Sequence, residues 1–397
     1  MTDGFRWHPE ARLYDSMGAE VPRPGPGQSR PASGTLLPDS PAGLAAAIGH
    51  PAFRIGAPDQ PPPDAHDRPI LETLTSGSTG LPRRLRRTQA SWTESFAVNA
   101  TLGVGPGARI ATLGRLIHSI SLYGAVEALH LGAQVHLLAD LRPDRQRAAL
   151  AQRRITHLYA TPAQLRLILG PGHLPDLCLI LVGGSKLDVT LRAALQALAP
   201  GARIREFYGA AETSFITLAD ETTPETSVGR PYPGVDLHLD PGGEVWVRSP
   251  YLFLGYGVAA DPSCPGGGPS SARWRDGWLS VGEIGDLKDG YLILKGRAGR
   301  MVTVADQNVF PEEIETLLLA LPGVSRAAVL PVPDPKRGHV LVAVLQGDPT
   351  HERAILTALR HHLGPLKSPK SLIWRDDWPM LPSGKTDLKA LEIAWLA

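Results

Sequence analysis

The sequence predicts an α/β protein, with a large N-terminal layered α/β domain followed by a small α+β C-terminal domain. Three observations lead there. From Ile70 onward, short β-like runs alternate with longer helical ones, the rhythm of strands covered by helices. After Arg297 the rhythm changes to a compact unit of about 100 residues, enough for a separate small domain. At 397 residues with 43% hydrophobic side chains, the chain is also long enough to bury sizeable cores.

Taken in order, the elements start with residues 1–70, where PRPGPG, LPDSP and PDQPPPD lie between positions 21 and 70. Fixed proline angles and missing amide donors oppose long helices and central strands, so this stretch reads as an irregular wrap or linker. Strands are expected at 109–113, 134–138 and 177–182. Helical periodicity covers 161–169 and LDVTLRAALQALAPG, which has Asp188 near its start and Pro200-Gly201 after its end. DPSCPGGGPSS, 261–271, reads as a surface loop. In the C-terminal unit a helix begins near Pro311, strands fall around 327–331 and 340–345, and a helix spans about 352–363. The expected division is 1–70, 71–297 and 298–397, and no internal repeat is visible.

Forty Lys plus Arg against 39 Asp plus Glu give a formal charge of +1, so no global field gathers nucleic acid or an anionic membrane. The two cysteines, Cys178 and Cys264, form no CxxC or Cys/His cluster, which argues against a disulfide framework or structural zinc. The start carries no signal-peptide core, and no run approaches the roughly 18 apolar residues of a membrane span. A soluble protein of a reducing cytoplasm is expected.

Two segments carry chemistry. In LETLTSGSTGLPRR an apolar run meets Thr75, Ser76, Gly77, Ser78, Thr79 and Gly80. Glycines let backbone amides approach an anion, and hydroxyls can donate to phosphate oxygens. Alone, the segment is equally a solvated loop, and it lacks the GxxxxGK[ST] spacing of a Walker loop. In REFYGAAETSFIT, Tyr208-Gly209 precedes Glu212-Thr213, a carboxylate beside a hydroxyl that suits magnesium and phosphate; its alternative is a strand end with ordinary polar caps.

Together these segments resemble the AMP-forming adenylating enzymes, the superfamily of acyl-CoA synthetases, luciferases and peptide-synthetase adenylation domains. The likeness extends in order through GGSKLD, GRPYPGVDLHL, GEVWVRSPYLFLGY, DGWLSVGEIG, DGYLILKGRAGRM, QNVFPEEIE and LPSGKTDLKAL. It implies that Thr75 to Gly80 wrap the β- and γ-phosphates of ATP, that Tyr208 with Gly209 lies near adenine, and that Thr213 touches the α-phosphate. Glu212 would hold Mg2+, and Gly183 and Gly184 would line the purine and acyl pockets. Lys385, in PSGK, would bridge the carboxylate and α-phosphate; Arg297 would contact ribose and phosphate. Arg300 would sit at the hinge about which the C-terminal domain rotates between half-reactions, and His118 would gate the acid. Trp92, Phe96, Tyr123, Phe207 and Phe215 join His118 as pocket candidates.

The chain departs from the family's pattern in four places. Arg83 stands where the phosphate loop usually has lysine. Glu283 replaces the aspartate that binds ribose. Ala305-Asp306 replaces two glycines beside the pantetheine tunnel, where a β-carbon and a carboxylate would narrow the path. The N-terminal portion is also short, so either a subdomain is trimmed or a partner or second protomer, as in a homodimer, covers the exposed face. The implied activity joins a small-molecule carboxylic acid, through acyl-AMP, to the thiol of CoA or of phosphopantetheine on an acyl carrier protein. Alternatives are a loader that transfers to a carrier protein or an amine, and a catalytically silent nucleotide-binding regulator.

Overall fold

The computed structural model describes residues 4–25, 34–56, 61–74, 84–257, 272–305, 307–335, 337–381 and 385–396. The chain divides into two compact units: Met1–Leu237 with Val247–Gly268 and Gly277–Leu279, and His238–Trp246 with Pro269–Asp276 and Ser280–Ala397.

In the first unit a nine-stranded sheet has six parallel strands at its centre, in the spatial order Arg203–Tyr208, Leu179–Val182, His157–Ala160, Arg109–Thr112, Gln134–Leu137 and Arg12–Tyr14. Leu179–Val182 is buried along its whole length, as a parallel strand covered on both faces requires. The chain leaves Arg109–Thr112 for the neighbour on one side, then returns to His157–Ala160 on the other. A topological switch point therefore lies between those two strands, and ligand crevices form outside the carboxyl ends of strands at such points. Asp188 caps the helix Val189–Leu198 by accepting from the Leu191 amide at 2.9 Å. Thr161 and Gln164 form a reciprocal capping box at Pro162–Leu167. The core between sheet and helices gathers Leu158, Leu165, Ile180, Val182, Leu191 and Leu195.

Regular structure also fills the stretch whose prolines predict an irregular wrap. Thr35–Leu37, helix Pro41–Ala47 and strand Ala52–Ile55 lie there. The strands join Ile70–Leu74, Arg84–Thr88 and Gly255–Tyr256 in a five-stranded sheet. The prolines explain why these elements remain short: Pro41 opens its helix at a position where the missing amide costs nothing, with Ser40 as cap. Phe5, wholly buried, packs on Phe53, Trp92 and Phe96 at 6.0–6.2 Å between ring centroids, so the N-terminal stretch belongs to the core.

In the second unit Glu283–Lys288 and Tyr291–Arg297 form a hairpin, and Val324–Asp334 and Gly338–Gly347 form a long antiparallel pair. Helices Pro311–Leu319 and Glu352–Lys367 bury Ile314, Leu318, Ile355 and Leu359 in one core with Val329 and Leu345. Within the second helix, helical geometry breaks at Gly364 (φ 72°, ψ 171°), followed by Pro365, which accounts for the expected end near position 363. The 261–271 loop lies outside the described residues.

Candidate active site

The site of the first unit is built at the carboxyl ends of its parallel strands. Strand Arg203–Tyr208 delivers Tyr208 and Gly209 into a turn carrying Glu212 and Thr213, exposed by 7% and 1%. The turn is tight. A β-carbon at Gly209 would run into the Ser214 carbonyl, and Ser214 itself takes φ 57°. The Thr213 hydroxyl accepts from the Ala210 amide at 2.9 Å, which fixes the turn from inside.

The expected phosphate loop, Thr75, Ser76, Gly77, Ser78, Thr79 and Gly80, lies outside the described residues, as does Arg83. Its two flanking strands pair antiparallel, with Leu74 opposite Arg84. At their root Glu72, fully buried, accepts from Arg84 Nε and Arg86 Nε, each at 3.0 Å. Arg86 also pairs with the exposed Asp64 at 3.1 Å, so two guanidiniums and two carboxylates tie the flanking strands together.

Arg87, one residue further along that strand, faces the other way and is fully buried. It donates to the Ala211 carbonyl, the Ser214 hydroxyl and the Tyr251 carbonyl, clamping the turn around Glu212. Burial pulls its guanidinium down to about 10, with Glu212 and Tyr123 opposing, so it stays charged at neutral pH. Its Nε has no hydrogen-bond partner, while its face lies 5.5 Å from the Trp92 ring. The segment Tyr251 to Tyr256 completes the cradle: the Phe253 amide donates to the Glu212 carbonyl at 2.9 Å, and the Tyr256 hydroxyl to Glu212 Oε1 at 2.8 Å.

The aromatic candidates converge. Phe207–Phe215, Tyr123–Phe215, Trp92–Tyr123 and Phe96–Tyr123 lie 4.9–5.4 Å apart, edge to face. Gly183 follows Leu179–Val182 at the one position where a β-carbon would strike the Phe207 ring, and Gly184 (φ 98°) continues the bend. His118 is half-buried and precedes helix Ser119–Leu131 beside the switch point. Burial lowers its pKa despite Asp39, favouring the neutral ring. Thr112 Oγ1 and Ser121 Oγ are buried there without hydrogen-bond partners.

Behind the rings is a polar group that the sequence does not flag. Glu127, fully buried, accepts from Tyr159, from Asn99 at 2.8 Å and from Tyr123 at 3.1 Å. Tyr232, stacked on Phe215 at 4.5 Å, donates to Asn99 at 2.8 Å. A lone glutamate inside a helix gives no sequence signal. For Glu72 a signal exists: RLRRT opposite LETL puts three arginines on a strand whose neighbour offers one acid.

In the second unit Glu283 accepts from Arg297 Nε at 3.0 Å. Arg300 pairs with Glu312 at 3.2 Å and Glu315 at 2.8 Å and donates to the Val329 carbonyl. Ala305 holds φ 47°, a left-handed angle that glycine takes without strain; Asp306 lies outside the described residues. Lys385 is exposed, and its carbonyl accepts from the Leu381 amide at 2.8 Å.

A topological switch point, a carboxylate–hydroxyl turn and an arginine-bearing strand beside it suit a nucleotide-activating class of protein. The AMP-binding enzyme family matches residues 15–257, and the AMP-binding enzyme C-terminal domain matches 313–385. The chain belongs to this family of AMP-forming adenylating enzymes. It is 32% identical to the uncharacterized acyl-CoA ligase YhfT of Bacillus subtilis (strain 168), over 80% of this chain and 67% of that protein. Triostin synthetase I of Streptomyces triostinicus is 30% identical over 85% of this chain and 67% of that one. Among solved structures, the amide bond synthetase McbA of Marinactinospora thermotolerans matches with a TM-score of 0.71 at 25% identity, over 89% of this chain and 77% of that one.

Proposed function

We propose that this chain is an AMP-forming acid–thiol ligase. A carboxylate oxygen of the acid attacks the α-phosphorus of ATP, and the bond to pyrophosphate breaks. A thiolate then attacks the acyl carbon of the mixed anhydride and AMP leaves. The observation that carries this reading is the Glu212–Thr213 turn, held from below by Arg87 and from the side by Tyr256.

Glu212 fits magnesium shared with the nucleotide: it is a hard oxygen donor in a turn whose neighbouring Thr213 suits phosphate. Bound there, the ion would offset phosphate charge. Thr213 and Tyr208 would orient the α-phosphate and adenine, the Arg84–Glu72–Arg86 root would anchor the strands flanking the expected phosphate loop, and Glu283 with Arg297 would meet the ribose. Lys385 would stabilise negative charge developing between acid and phosphate. His118 and the aromatic cluster would receive the acid, whose tail is read as uncharged. Rotation about Arg300 would separate the half-reactions, with 298–397 as the moving domain.

CoA is the acceptor favoured by the likeness to an acyl-CoA ligase. Transfer to a carrier-borne thiol or to an amine is the second reading, favoured by the strained Ala305 and by the likeness to a peptide synthetase and an amide bond synthetase. A cytoplasmic location suits a consumer of ATP and CoA. Among the described residues no helix is long and apolar enough to cross a membrane. The test is acid-dependent exchange of labelled pyrophosphate into ATP across short, long and aromatic acids, followed by AMP release with CoA, pantetheine or an amine. Exchange with at least one acid is expected; none with any acid would favour the silent regulator.

A further inference from the structure

Tyr256 lies outside the residues that motif reading selects, yet its hydroxyl donates to the Glu212 carboxylate, 2.8 Å to Oε1. Its position is set from two sides. Gly255 and Tyr256 pair antiparallel with Arg86 and Leu85, the strand that leaves the expected phosphate loop. The Phe253 ring packs edge-on against the Tyr256 ring at 5.1 Å, while the Phe253 amide holds the Glu212 backbone carbonyl. Backbone and side chain of Glu212 are thus fixed by the same short segment.

We infer that Tyr256 is a positioning residue for Glu212, setting the carboxylate's orientation toward the magnesium–nucleotide complex. The inference rests on the reading of Glu212 as the cation-holding group. A glutamate side chain has three rotatable bonds, and a hydroxyl donated to one oxygen selects among its rotamers while leaving the charge intact. The bond also links Glu212 to the strand that roots the loop, so the two phosphate-facing segments keep their register.

The experiment is calorimetric titration of ATP into the full chain with and without Mg2+, which requires no turnover. In the parent protein Mg2+ should tighten ATP binding. In Tyr256→Phe, which removes only the hydroxyl, that gain should fall by about tenfold, the order of one hydrogen bond to a charged group, with metal-free binding changed less than about twofold. In a Glu212→Ala background the same substitution should change nothing further, because its effect passes through the carboxylate. An equal gain in parent and Tyr256→Phe would overturn the inference and leave the functional reading standing, as would additive losses in the double variant. A parent protein that binds no ATP under either condition would overturn both.

Discussion

Glu212 and Glu283 are equally exposed, 7% each, and are held in opposite ways. Glu283 accepts directly from a guanidinium, Arg297 Nε at 3.0 Å. Glu212 accepts from a neutral phenol, while the nearby Arg87 spends its NH groups on the Ala211 and Tyr251 carbonyls and the Ser214 hydroxyl. A guanidinium brings its own charge to the carboxylate it holds, whereas a phenol orients the carboxylate without adding one. The same residue type at the same depth is therefore held in two ways, and on the proposed reading Glu212 would serve metal and phosphate, Glu283 neutral hydroxyls.

The sharpest test applies one substitution to both. Glu212→Gln should lower pyrophosphate exchange on the order of 100-fold or more at saturating ATP, the size of losing a charge-stabilising group at the reacting centre. Glu283→Gln, which keeps an acceptor for ribose, should raise the KM for ATP by less than about tenfold and leave kcat near the parent value. Equal losses in kcat would erase the distinction.

Their arginine neighbours should differ in stability. Arg87→Met leaves the buried Tyr251 carbonyl and the part-buried Ala211 carbonyl without this donor, a cost of about 2 kcal/mol. Arg297→Met should cost about 1 kcal/mol or less, because the Arg297 side chain is 45% exposed and solvent screens the pair. Urea midpoints of the two variants would decide it.

A third carboxyl extends the comparison, since the hydrogen bonds that Glu127 accepts come from Tyr159, Asn99 and Tyr123, all neutral. Burial pushes its pKa up to about 7, with the bonds from Tyr159, Asn99 and Tyr123 opposing. Between the ordinary 4.5 and about 7 the folded protein binds the extra proton, so this group's contribution to stability falls as pH rises through that window. His130, His136 and His157, all pulled down to about 4 chiefly by burial, slope the other way. Glu127→Gln removes only the first slope. Its stability relative to the parent should therefore be greater at pH 8 than at pH 5, on the order of 2 kcal/mol. Melting temperatures of both proteins at the two pH values test the sign.

Local pattern made much of this legible. Continuous apolar runs located Leu179–Val182 and its neighbours, Asp188 marked a helix start, and the sequential motifs gave the family. Short elements between prolines were not legible, because a three-residue strand such as Thr35–Leu37 draws its stability from its neighbour, not from its own composition. A motif can name a candidate such as Glu212, but the contacts around it come from tertiary structure that local sequence does not show. Arg87 meets its partners 124 to 164 positions away, and nothing local to RLRRT announces them. Tyr256 was within a recognised motif, but its partner became visible only when the strand pairing with Leu85 set its hydroxyl beside Glu212.

The smallest expected effect concerns the site where no charge is at stake. Ala305 sits at φ 47°, where a β-carbon crowds the backbone, and its amide donates to the Arg337 carbonyl at 2.9 Å, which holds it there. Glycine adopts this angle without that crowding but loses more chain entropy on folding, so the two effects oppose each other. Because left-handed strain in a non-glycine residue costs about 1 kcal/mol or slightly more, Ala305→Gly should stabilise the protein by less than about 1 kcal/mol. If the thiol's path runs beside this residue, the same change lowers the KM for CoA several-fold and leaves pyrophosphate exchange untouched, since exchange precedes the thiol. A stabilised variant with unchanged KM for CoA would place the path elsewhere and reduce Ala305 to a strained turn, whereas altered exchange would mean that the two half-reactions share this loop.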